Sequence, residues 1–274
     1  MYSHRKGGFG ANTLRSVLPY ALKPPKRGTV AIIRRPAPCH RLDRPTSGLL
    51  LVAKTKPAMV DITRQFVERN VKKTYTAILN GIPNEPIESS ISAEDARKLG
   101  VDIDIDEDSS LTSDGPAQSW QIIDHPLNGK SAVTVWRPLK YFNSLDANDQ
   151  TLTLVEMKPK TGRYHQLRQH MAFVRECPLV GDKTYDGGGD AMKLRGRGLF
   201  LCSNKVKLSH PYYNTESGRK EWESLPDEEK WSNGQIKLSD DGSSVEVHAS
   251  IDLPEKFDSF ISNESKKASK YGDR

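Results

Sequence analysis

The chain has 274 residues, 35% hydrophobic and 28% charged, with a formal net charge of +6. That length holds one large domain or two small ones around a buried core, and a polar but patterned composition argues against disorder throughout. No apolar run approaches the ~20 residues of a membrane span, and Cys39, Cys177 and Cys202 form no C-x-x-C pair, which fits a reducing intracellular compartment and argues against a disulfide scaffold or a zinc ribbon.

The charge is unevenly placed. Residues 1–80 carry 16 Lys/Arg against 3 Asp/Glu, a front half that suits a polyanion, RNA or DNA before a membrane surface. A solvated basic face is the plainer alternative. Residues 1–12 are polar and glycine-rich, without the apolar stretch of a signal peptide. Residues 1–28 read as a basic N-terminal arm, closed by the breaker cluster Lys23–Gly28.

A short strand is expected at 31–35 and a buried strand at the apolar run Leu49–Ala53. Lys56–Asn70 follows as a helix, with Pro57 in its first turn and Met59, Ile62 and Phe66 along one face. Lys72–Leu79 alternates as a strand, placing Tyr75, Ala77 and Leu79 on one side and Thr74, Thr76 and Ile78 on the other. Residues 85–114 hold 10 acids and 2 bases and read as an exposed acidic insertion. A calcium loop there lacks the glycine its pattern needs where Glu107 or Asp108 stands.

Strands resume at 132–136 and 151–157. Arg163–Arg175 reads as a helix with Leu167, Met171 and Val174 as its apolar stripe. The loop 181–189 ends in Gly187–Gly189, glycines able to approach a phosphate closely or simply to bend. Further strands are expected at 199–208 and 245–251. Residues 213–274 form a polar C-terminal extension with a frayed tail from Ser262. Strands and helices do not alternate regularly, so the class is α+β.

The densest chemical signal is His40-Arg41-Leu42-Asp43-Arg44-Pro45-Thr46-Ser47-Gly48. Two flanking arginines favour the ionised Asp43 carboxylate, a nucleophile or base held at a tight turn. The alternative is that Asp43 only neutralises Arg41 and Arg44. The kinase catalytic loop, the P-loop, the G-x-S-x-G elbow and H-E-x-x-H all fail on spacing. His165 and His170 are five apart, which on a helix turns them to different faces and argues against a metal site.

H-R-L-D-x-x-T-S-G-L-L-L-x-A-K resembles the catalytic signature of the RluA-like branch of RNA pseudouridine synthases. Three further stretches resemble the family's motifs in the family's order. They are Lys73–Ala77 with Gly81, Thr161–His170 (T-G-R-Y-H-Q-L-R-Q-H), and Pro178–Tyr185 (P-L-V-G-D-K-T-Y). A weaker match follows at 199–211.

The resemblance implies a mixed, mainly antiparallel sheet with flanking helices over residues 29–212. No separate N-terminal RNA-binding domain is expected. The family's opening strand ending in N-K-P is missing from the 39 residues ahead of His40.

By the same resemblance Asp43 is the catalytic aspartate, Tyr75 lies against the target uracil, Arg168 pairs with Asp43, and Arg41 fills the space of the flipped nucleotide. His40, Arg44, Thr46, Arg163, His165 and Gln166 are expected to bind RNA. The implied activity is isomerisation of specific uridines in rRNA or tRNA by a monomer, without metal, nucleotide cofactor or membrane. An inactive RNA-binding module of the same fold and a glycoside hydrolase are the rival classes. The hydrolase needs a second carboxylate across the bond, and only Asp182 stands in a matching motif.

Overall fold

The computed structural model describes residues 13–84, 89–101, 120–186, 198–230 and 235–272. The first 12 residues of the basic arm, residues 102–114 of the acidic insertion with its rejected calcium loop, and Gly187–Gly189 lie outside the described residues.

In chain order the elements are α1 (Leu14–Ala21), β1 (Ile32–Pro38), β2 (Ser47–Gly48), β3 (Val52–Thr55), α2 (Lys56–Val67), β4 (Lys72–Asn80), β5 (Ser90–Ile91), α3 (Ala93–Lys98), β6 (Trp120–Asp124), β7 (Val133–Asn143), β8 (Thr151–Pro159), α4 (Gln166–Gln169), β9 (Leu201–Ser209), α5 (Glu216–Ser224), α6 (Asp227–Lys230), β10 (Ile236–Leu238), β11 (Val245–Ser250) and α7 (Lys256–Tyr271). A π turn, His170–Val174, continues α4. Every strand pairing whose register is described is antiparallel, so the fold is α+β with a mainly antiparallel sheet.

The chain forms two compact units. Among the described residues, the smaller comprises those within 13–44, 48–71 and 205–251, the larger those within 45–47, 72–204 and 252–272. In the larger unit the strand order is β5-β6-β7-β8-β4, followed by the first half of β9. β4 runs beside β8 from Tyr75↔Met157 to Asn80↔Leu152. The period of two then sorts the side chains between two cores. Ala77 and Leu79 join Trp136, Val155, Met157, Leu167 and Met171, with Tyr75 packed against them. Ile78 instead joins Leu152, Val180, Phe200, Phe257 and Phe260. The alternation read from the sequence for β4 is the one observed.

Two segments expected to be loose are built into this unit. Ser92 caps α3 through its Oγ, which accepts from Asp95 N at 3.0 Å. β5 pairs with β6, and Ala96 and Val101 are buried against Trp120 and Val135. Residues 90–101 are thus folded and anchored through Ala96 and Val101, while most of their other side chains are exposed as expected. The C-terminal tail is likewise a 16-residue helix, α7, whose Phe257 and Phe260 rings lie 5.3 and 4.7 Å from Phe200. Its Glu264 is buried and accepts from Ser144 Oγ at 2.7 Å.

In the smaller unit β10, β11 and the second half of β9 form antiparallel pairs, and β1 pairs with β3. Thr55 caps α2 (Oγ1 accepting from Ala58 N at 3.4 Å) with Pro57 in the first turn. The helix stops short of the expected Asn70 because Arg69 takes φ +62°. Ile62 packs with Val71, Val206 and Leu208 under Phe66 and Leu51. The buried amide of Gln65 clamps β9 by donating to Ser209 O (2.9 Å) and accepting from Ser209 N (3.0 Å). Here too the polar extension is structural: Val245 and Trp222 are buried.

Candidate active site

In the smaller unit the H-R-L-D segment is an irregular loop anchored at both ends. Cys39 N donates to Leu51 O at 2.9 Å, and Leu51 N donates to His40 Nε2 at 3.0 Å. His40 Nε2 is therefore the unprotonated ring nitrogen, and the ring lies 4.9 Å from that of Phe66. His40 is thus spent on holding the loop closed. Between the anchors Asp43 is half-buried, while Arg41 and Arg44 are exposed; Thr46, which belongs to the larger unit, is half-buried. The loop leaves through Gly48 at φ +124°, a conformation that favours glycine. Just before it, in the larger unit, Ser47 Oγ donates to Leu201 O at 3.2 Å.

The larger unit holds the other two proposed catalytic residues. Tyr75 is half-buried on β4 against the apolar cluster that Leu167 and Met171 enter from α4 and its π turn. The helix carrying Arg168 therefore packs on the face of the sheet that carries Tyr75. Lys73, two residues back on the same strand, has its pKa lowered by burial.

Arg168 is 3% exposed, and its fork is held rigidly. Nε and Nη2 donate to the two oxygens of Asp182 at 2.6 Å each. Nη2 also reaches Thr184 Oγ1 at 3.0 Å, and the guanidinium lies 5.0 Å from the centre of the Tyr185 ring. Asp182 Oδ1 accepts from Thr184 N as well, at 3.0 Å. This two-pronged geometry is the strong form of the pair. The sequence reading weighs Asp182 only as a hydrolase's second carboxylate and does not foresee its pair with Arg168. The G-D of the third motif carried the signal.

Arg168 Nη1 lies 3.1 Å from His165 Nε2, and His165 Nδ1 lies 3.0 Å from Tyr185 Oη. Arginine only donates, so Nε2 accepts, and Nδ1–H donates to the tyrosine. His165 has φ +50°. This left-handed residue ends the preceding turn and delays α4 to Gln166, which is why the expected helix over 163–175 starts late and is broken into α and π turns.

Gln166 requires a correction. It is 4% exposed. Its Oε1 accepts from Thr161 Oγ1 (2.7 Å) and Arg163 N (3.0 Å), and its Nε2 donates to Val133 O (2.9 Å) and Thr134 Oγ1 (3.0 Å). Every amide site is used, leaving none for RNA, so Gln166 locks the turn to β7. Arg163 adds a second tie, its Nε donating to Ser131 O at 2.8 Å. His170 completes the lock. Its Nδ1 accepts from Thr134 Oγ1 at 2.9 Å and its Nε2 donates to His125 O at 3.1 Å. Burial pushes its pKa down to about 4, keeping it neutral.

The chain matches the model of the RNA pseudouridylate synthase family over residues 27–173. It is 34% identical over 183 residues to the tRNA pseudouridine synthase C of Vibrio cholerae, covering 64% of this chain and 67% of that protein. Similarity to the ribosomal large subunit pseudouridine synthase C of Rickettsia conorii is 36% over 178 residues, 65% of this chain and half the length of that protein. Among solved structures, human RNA Pseudouridylate Synthase Domain Containing 4 aligns with 22% identity and a TM-score of 0.47, covering 81% of this chain and 73% of that one.

Proposed function

Because the chain belongs to the RNA pseudouridylate synthase family, we propose that it converts specific uridines of tRNA or rRNA to pseudouridine, with Asp43 acting on an extruded nucleotide. The chain is an isomerase acting on RNA. The reaction breaks the bond from ribose C1′ to uracil N1, turns the base, and joins C1′ to C5. The proton leaves C5 and N1 gains one, so no oxidant, reductant or cofactor enters the balance.

A stacked uridine does not present these atoms, so the nucleotide must flip out first, at a cost of a few kcal/mol. Arg41, exposed beside Asp43, fills the vacated stack and offsets part of that cost. Attack on C1′, addition to C6 and removal of the 2′ proton each call for an ionised carboxylate at Asp43. Tyr75 supplies a flat face for the uracil and a hydroxyl at its edge. Arg168 supplies fixed positive charge. Because its fork is held by Asp182, that charge needs no reorganisation as the reaction proceeds. Arg44, Thr46 and Arg163 contact the backbone, and the basic front half makes binding fall steeply with salt. A reducing compartment suits Cys39, Cys177 and Cys202, which are unpaired with one another.

The observation that carries this reading is the unbroken H-R-L-D loop and T-G-R-Y-H-Q-L-R segment inside the matched span. The test is to map pseudouridines in total RNA with and without the gene. Sites in tRNA or rRNA that vanish with the gene and return with the wild-type chain support it. Identical maps overturn it.

A further inference from the structure

The larger unit carries four rings in edge-to-face and stacked contact at its surface. Tyr164 stacks on His165 with centroids 3.7 Å apart and planes at 20°. His165 meets the edge of Tyr185 at 5.7 Å, and Phe173 meets Tyr185 at 5.5 Å, both nearly perpendicular. The inner members are half-buried, but Tyr164 is 63% and Phe173 62% exposed. A lone exposed aromatic needs no explanation. Here two exposed rings are each backed by an inner ring, so both are fixed in orientation with an outer side open to solvent.

The backing is rigid. His165 is held by Arg168 and Tyr185, and Arg168 by Asp182. The array is therefore continuous with a residue proposed to serve the reaction. The chain that carries Tyr164, His165 and Phe173 has charge of one sign. No Asp or Glu occurs between Lys160 and Arg175, Arg163 precedes Tyr164, and the exposed Lys183 stands two residues before Tyr185. Acids follow at Glu176, Asp182 and Asp186, with Asp182 buried against Arg168. Flat apolar faces among cations fit a strand with exposed bases and a charged backbone.

We propose that the outer faces of Tyr164 and Phe173 form a stacking platform for unpaired bases of the RNA strand that carries the target uridine. The platform deepens the RNA pseudouridine synthase reading and rests on it. Its partner is single-stranded RNA, bound with little preference for base identity because every base has a face to stack.

The test uses the full chain and a short single-stranded oligouridine bearing one 2-aminopurine. The wild-type chain is expected to bind it and quench its fluorescence by stacking. The double variant Tyr164→Ala/Phe173→Ala should bind about 5-fold or more weaker and lose the quench. Tyr164→Phe, which keeps the ring, should retain both. Circular dichroism confirms the fold of each variant. Unaltered quenching in the double variant, or none with the wild type, overturns the platform. Pseudouridine formation in cellular RNA by the same wild-type preparation is scored separately. Quenching without product would sink the enzyme reading and leave the platform standing.

Discussion

Asp182→Asn keeps the shape of the side chain, removes its charge, and turns one acceptor into a donor facing Arg168. The pair it breaks is buried on both sides, with side-chain exposures of 3% for Arg168 and 0% for Asp182. Removing one member of a buried ion pair costs about 3–5 kcal/mol. Loss of the Thr184 N–H acceptor adds about 1 kcal/mol. With a urea slope of about 3 kcal/mol/M, the midpoint for the larger unit should fall by roughly 1–2 M. Arg168→Met should cost a similar amount, because it strands the carboxylate instead. Replacing both groups by apolar ones, Arg168→Met/Asp182→Leu, should recover most of the stability without recovering pseudouridine formation. Urea unfolding followed by circular dichroism reads the first effect, and product analysis reads the second. If Asp182→Asn unfolds within about 0.5 kcal/mol of wild type, the carboxylate is not what holds Arg168.

Gln166→Leu should destabilise the chain by at least about 3 kcal/mol, since it strands several buried polar groups, while the RNA affinity of folded protein stays near wild type. Weakened affinity at unchanged thermal stability would return Gln166 to the RNA-contact set. Stability should also fall with acid above the carboxylate range. Burial lowers both His170 and His210 from 6.5 to about 4, so the unfolded chain takes up protons first. Their contribution is complete above pH 6.5 and is lost as pH falls toward 4, by at most about 1.4 kcal/mol per pH unit for each histidine. Urea midpoints at pH 7, 6 and 5 test this, and a flat series contradicts it. Deleting residues 90–101 should lower the melting temperature sharply by exposing Trp120 and Val135, which Ala96 and Val101 cover. Unaltered melting would show that Ala96 and Val101 do not anchor the segment.

The parts legible in the sequence were those governed by local periodicity or by an intact motif. β4 is sorted correctly between two cores because a half-turn per residue admits one solution. The errors have physical causes. Helix α3 was hidden by the acidity of its surroundings, although Ser92 and Asp95 stood at capping spacing and Ala96 marked a buried face. The tail expected from Ser262 is the second half of helix α7, whose start is marked by Phe257, Phe260 and Ile261 at helical spacing. At the site, no periodicity announces that Gln166 points inward or that Asp182 is among the partners of Arg168. Both depend on contacts between segments distant in the chain, with Val133 and Thr134 meeting Gln166 and Asp182 meeting Arg168.

The central claim is that one carboxylate performs the isomerisation. Cells lacking the gene can be supplied with wild-type chain or with Asp43→Asn, and pseudouridine counted at each site that depends on the gene. Restoration by wild type with none by Asp43→Asn, at equal protein level and equal RNA binding, is the predicted result. Restoration by Asp43→Asn would contradict it.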